Sequence, residues 1–155
     1  MRDSQQSKAY NAEYRLRDFF DNAIQFENPV IEIEGITLTL PPEAKFASIE
    51  SIQAYSDRVC TIMKAPKVMV RERRGSKAAH YEYGGILAIP MNGSRWALRE
   101  TVVLHELAHH LTGAGHGHGP RFISNYIDLL TRIMGPEAGL TMRILSDHHK
   151  AKVSA

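Results

Sequence analysis

"HELAHHLTGAGHGHGPRF", residues 105–122, gathers five of the chain's eight histidines and then turns through alternating glycines into Gly119-Pro120. From Trp96 onward, "WALRETVVLHELAHHLTG" places Leu98, Val102, Leu104 or His105, and His109 on recurring turns, so it reads as a helix, with Gly113 where a left-handed C-cap residue would stand. Gly119 followed by Pro120 reads as an N-cap with proline in the first helical position. It opens "PRFISNYIDLLTRIMG", where Phe122, Tyr126, Leu129, Leu130 and Ile133 form one stripe. Two helices joined by a glycine-rich link are therefore predicted around the histidines.

His105 and His109 stand at i and i+4, about 5 to 6 Å apart at Cβ on a helix, so two imidazoles can grip one Zn²⁺ at roughly 2.0 to 2.1 Å per nitrogen. Glu106, turned about 100° around the helix axis, is poorly placed as a third ligand but well placed to take a proton from water on the metal. The apolar residues around the pair imply partial burial, where unpaired imidazoles would be costly.

A catalytic zinc needs a third protein ligand, and the link offers His116 and His118, with a distant carboxylate as a further alternative. Glycines at 113, 115, 117 and 119 let the chain reverse sharply after the helix. His118 is the better anchored, because it directly precedes the Gly119-Pro120 helix start. His116 sits mid-loop, where ordering costs more entropy, and can line a pocket or hydrogen-bond a transition state.

The other polar clusters read more simply. His110 must face away from His109 and is expected on the outer helix face. His148 and His149 suit a helix C-terminus. His80, Tyr81 and Tyr83 read as strand packing, with a tyrosine hydroxyl near a developing oxyanion as the alternative. The run Arg71 to Arg74 reads as a charged strand end.

Upstream, Ser4 to Ala23 has helical spacing through Tyr10, Tyr14, Leu16, Phe19, Phe20 and Ala23, with Arg15, Arg17 and Asp18 outside. "PVIEIEGITLTLPP" alternates as an extended or strand segment broken at Gly35. Ser48 and Ser51 offer caps for an amphipathic helix through Ile49, Ile52, Tyr55, Val59 and Ile62 that ends before Pro66. "KVMVRERR" and "HYEYGGILAIP" read as two β-rich runs forming an antiparallel pair, with a bulge or kink at Gly84-Gly85. A last helix runs from Pro136 to about His149, and the tail from about 150 to 155 is expected to fray.

The chain has 155 residues, 43% of them hydrophobic, and a net charge of +2, which suits one domain over 1–155 and gives a weak footprint for general nucleic-acid binding. Its one cysteine, Cys60, cannot form an internal disulfide and reads as core. A charged N-terminal stretch without a signal-type apolar region, and no window near the roughly 18 apolar residues of a membrane span, point to the cytoplasm and to no membrane partner.

His105, Glu106 and His109 on a helix, then the glycine-rich turn and "GHGPRF" (117–122), resemble the SprT-like and Spartan branch of zincin metalloproteases, and also small actinobacterial and phage-borne metallohydrolases. The resemblance is specific over roughly Arg95 to Phe122 and absent over the first 60 residues. It implies that His118 is the third zinc ligand, and an α+β fold: a small, mainly antiparallel sheet with the active helix packed behind it and additional helices. The link between His109 and His118 is shorter than in Spartan, and no DNA-binding module follows, so that branch's DNA-protein crosslink substrates do not carry over.

Three functions fit these residues. A zinc-dependent peptidase acting on a peptide or protein substrate uses Glu106 as general base. A zinc hydrolase of a non-peptide amide or ester uses the same set. A non-enzymatic zinc-stabilised domain, for instance on DNA, would need a fourth protein ligand and would not need Glu106. The intact glutamate and the absence of thiolates near the cluster favour the first.

Overall fold

A computed structural model gives the conformation of residues 3–92 and 97–154. Trp96 and Arg95, where the predicted helix and the resemblance begin, lie outside these residues, as does Ala155. The described residues form five α-helices and two small sheets of two and three strands, an α+β fold with mostly antiparallel pairing. The chain divides into two compact units, Ala44–Ala114 and Met1–Glu43 with Gly115–Ala155.

In Ala44–Ala114, helix α2 (Ile49–Met63) starts in a capping box. The Ser48 side chain accepts from the Ser51 N–H, and the Ser51 hydroxyl accepts from the Ser48 N–H. Ile52, Tyr55, Val59 and Cys60 face inward, and burial pushes the Cys60 thiol up. Lys64, in the left-handed conformation, ends the helix before Pro66.

Strands β3 (Met69–Glu72), β4 (His80–Glu82) and β5 (Ile86–Ile89) follow, in the spatial order β3-β5-β4. The predicted antiparallel pairing of the two β-rich runs is corrected here. Gly84 and Gly85, at φ of 113° and 96°, are a chain reversal inside the second run and not a bulge. That run therefore folds on itself as the β4-β5 antiparallel pair, and β5 returns parallel to β3. The central position of β5 explains why "ILAI" is continuously apolar: Leu87, Ala88 and Ile89 are fully buried. Gln53 of α2 covers the outer edge of β3, donating to the Val68 carbonyl at 2.9 Å and accepting from the Val70 N–H at 2.8 Å.

Helix α3 (Glu100–Thr112) is fastened at its first residue. Lys45 and Arg99 form an antiparallel bridge, and the Glu100 carboxylate accepts from the Ala44 N–H and from the Tyr55 hydroxyl of α2. This anchoring sets which residues of α3 point inward.

In the other unit, α1 (Gln6–Gln25) buries Ala9, Ala12, Leu16 and Phe20 and packs on α5 (Pro136–His148). Arg17, expected outside, is buried beside the buried Glu13 one turn earlier, at 3.6 Å. The opposite charge offsets the desolvation that would otherwise keep a guanidinium in water. The alternating segment is a hairpin, β1 (Val30–Ile33) with β2 (Ile36–Thr39), turned by Glu34 and Gly35, both at positive φ as a two-residue hairpin turn requires.

Helix α4 (Pro120–Leu129) begins at Gly119 with Pro120 in its first turn and passes into a π turn, Leu130–Met134, before Gly135 breaks it. Gly139 of α5 lies so close to Thr131 that a Cβ there would meet the Thr131 hydroxyl at 1.8 Å. The tail expected to fray is tied down through Ser154. Ala151 is buried, the Lys152 N–H donates to Gln5 Oε1 at 2.8 Å, and the Ser154 N–H donates to the Pro120 carbonyl. No helix among the described residues is long and apolar enough to cross a membrane.

Candidate metal centre

Because α3 is regular from Glu100 to Thr112, His105 and His109 stack one turn apart, with ring centroids 5.0 Å apart and planes at 73°. His105 and Glu106 are nearly fully buried, at 5% and 6% exposure. The Glu106 carboxylate, although one residue along the helix, reaches back to within 3.9 Å of His105 Nε2. An acidic oxygen therefore lies beside a ring nitrogen able to ligate a metal.

His118 is held by different means. Its ring lies between Tyr10, at a centroid distance of 5.0 Å, and Phe122, at 4.8 Å, and it is 6% exposed. Its Nδ1 donates to Asp3 Oδ2 at 2.7 Å, its own main-chain N–H donates to the same oxygen at 3.0 Å, and its carbonyl accepts from Gln5 Nε2 at 2.9 Å. An ionised carboxylate only accepts, so Nδ1 carries the proton and the lone pair of the neutral ring sits on Nε2.

His105, His109 and His118 each offer one ring nitrogen, and these lie within 4.8 Å of one another, close enough to hold a metal ion. His116, the competing ligand, is exposed and outside this group. It lines a cleft of about 670 Å³ together with Lys8 and Lys152.

The remaining histidines and tyrosines are engaged elsewhere. His110 is turned from its neighbour, but it is an anchor rather than a solvated surface group: its Nε2 donates to the Pro66 carbonyl at 2.7 Å, and its Nδ1 takes the Tyr81 hydroxyl at 2.8 Å. A carbonyl cannot donate, so in the neutral ring the Tyr81 proton points at His110 and is not available to an oxyanion. Burial holds the Tyr81 hydroxyl above its ordinary pKa. Tyr83 is half exposed and meets Tyr81 edge-on.

On edge strand β4, His80 hydrogen-bonds Glu82, which also pairs with Arg71. The His80 hydrogen bond, then the Arg71 hydrogen bond and its charge, hold the Glu82 carboxyl below the usual range. Arg73 donates to the Ala78 carbonyl at 2.6 Å, so two members of the arginine run serve the strand ends. His148 lies 3.4 Å from Glu34, and burial, followed by the charge of His148, pushes His149 down.

Sequence reasoning missed Asp3 and the anchoring role of His110. Nothing local marks Asp3, which lies in a charged N-terminal stretch 115 residues from its partner. The Tyr81 and His110 contact spans 29 residues and two different elements. In comparisons with protein families, curated proteins and solved structures, nothing matches this chain.

Proposed function

We propose that the chain is a zinc-dependent peptidase in which His105, His109 and His118 hold the metal and Glu106 is the general base. The observation that carries this reading is the convergence of three imidazoles within 4.8 Å, with a buried carboxylate 3.9 Å from one of them. The donor set fits the ion. Three imidazoles and no thiolate is the ligand chemistry of a catalytic zinc, which keeps one position for water, whereas structural zinc takes four protein ligands. Nitrogens at this spacing can close on an ion at roughly 2.0 to 2.1 Å each by small side-chain rotations.

When bound, zinc supplies Lewis acidity toward a water and toward the carbonyl to be cleaved. Glu106 accepts the proton of the attacking water at a carboxylate oxygen and returns it to the departing amine nitrogen. The burial of Glu106 and His105 limits competing bulk water around that proton transfer. Edge strand β4, next to α3, is suited to align an extended peptide by main-chain hydrogen bonds.

The test is zinc content by elemental analysis, together with cleavage of a diverse set of unstructured peptides by the zinc-loaded protein. Glu106→Gln should retain one zinc per chain and lose about 10²- to 10⁴-fold in cleavage rate, the usual contribution of a positioned base. A zinc-loaded wild type that cleaves no peptide, or a Glu106→Gln protein with undiminished cleavage, overturns the proposal.

A further inference from the structure

We infer that Asp3 is the positioning residue of the third metal ligand, its carboxylate holding the His118 proton on Nδ1 so that Nε2 is presented to the ion. The inference rests on the reading of His105, His109 and His118 as a metal centre. A single oxygen, Asp3 Oδ2, accepts from both the main-chain N–H and the ring Nδ1 of His118, at 3.0 and 2.7 Å. The main-chain bond alone would suffice to staple the N-terminal segment down. The ring bond does something else, because it selects the tautomer and the ring orientation together.

The surroundings are built around that carboxylate. Gly117 has φ of +50°, and a Cβ there would fall 2.7 Å from Asp3 Cγ and Oδ2, so the acid occupies space that only glycine leaves. Gln5, two residues on, is buried and bonds the His118 carbonyl on one side and both polar main-chain groups of Lys152 on the other. Tyr10 and Phe122 close the ring from two directions. A free imidazole in water favours the proton on Nε2, the nitrogen needed for the metal, and the Asp3 carboxylate reverses that preference before any ion arrives.

The test measures Zn²⁺ affinity by chelator competition, and the His118 tautomer by side-chain ¹⁵N NMR on the metal-free protein. Wild type should show the proton on Nδ1. Asp3→Ala should move it to Nε2 and weaken zinc binding by about 10- to 100-fold, the usual effect of removing an outer partner of a ligand. Asp3→Asn, which keeps an acceptor, should retain the Nδ1 tautomer and lose less affinity than Asp3→Ala. A structural staple alone would leave the tautomer unmoved. Wild type that takes up no zinc overturns the metal centre itself. Wild type that binds zinc, with Asp3→Ala binding as tightly and keeping the proton on Nδ1, overturns the role of Asp3 and leaves the metal centre standing.

Discussion

Tyr81→Phe removes one oxygen and isolates the contact that ties α3 to strand β4. The hydroxyl donates to His110 Nδ1 at 2.8 Å, and the far nitrogen of the same ring is spent on the Pro66 carbonyl. A net hydrogen bond is worth about 0.5 to 1.5 kcal/mol, and stranding a fully buried acceptor would add a further penalty of about 1 to 3 kcal/mol. Both side chains are only half-buried, so water can reach the stranded nitrogen and most of that penalty does not apply. The expected loss is therefore about 1 kcal/mol, seen as a fall of roughly 2 to 4 °C in Tm for a chain of this size. Urea and thermal unfolding of Tyr81→Phe, His110→Ala and the double variant form a closed cycle, and the coupling should equal most of the single-site loss, about 1 kcal/mol. If Tyr81→Phe costs as much in the His110→Ala background as in wild type, the hydroxyl does not act through His110 and the anchoring argument is wrong.

Two further outcomes probe the fold and its pH response. Gly139→Ala should gain about 1 kcal/mol of helix propensity, yet its Cβ would sit 1.8 Å from Thr131 Oγ1 and 2.9 Å from Thr131 Cβ. Overpacking of that kind costs about 1 to 3 kcal/mol, so chemical denaturation should show a net loss, and a stabilised variant would contradict the close approach of α5 to the π turn. Glu82 has a depressed carboxyl in the fold, through His80 first and Arg71 second. Its contribution is thus present above the ordinary glutamate value of about 4.3 and is lost as pH falls through the lower folded value. The pair is exposed and the effect small. Tm measured between about pH 3 and 6 should fall less steeply in Glu82→Gln than in wild type, and identical slopes would remove Glu82 from the acid response.

What could be read from the sequence was whatever is periodic or adjacent. The i, i+4 histidines, the Ser48 cap, the Gly119-Pro120 start and the stripe from Phe122 to Leu130 are local patterns, and the elements they mark lie within a few residues of expectation. Pairing was not legible in the same way. Gly84-Gly85 fits a bulge and a reversal equally well as a pair of glycines, and only the position of β3 decides that the second run doubles back to make β5 central. Arg17 failed for a related reason: a charge belongs outside unless its partner goes in with it, and the partner, Glu13, is visible in sequence only once the buried face of α1 is known.

The candidate centre divides along the same line. Its two α3 histidines and Glu106 are set by one helix turn, but the histidine beyond the link depends on contacts 113 to 115 residues away in sequence, from Gln5 and Asp3. A glycine-rich link by itself favours neither His116 nor His118, since flexible backbone can deliver either ring. Enthalpy at the N-terminus breaks that symmetry. Asp3 holds both polar N–H groups of His118, while His116 lies exposed on the cleft with Lys8 and Lys152. Gly117 is the residue on which this choice turns: any side chain there must displace the carboxylate, and His118 would then lose the acceptor of both its N–H groups and keep only the Gln5 bond at its carbonyl and the rings of Tyr10 and Phe122. The alternating glycines are therefore not equivalent. Gly113 and Gly115 serve the reversal of the chain, and Gly117 serves the acid that orients its neighbour.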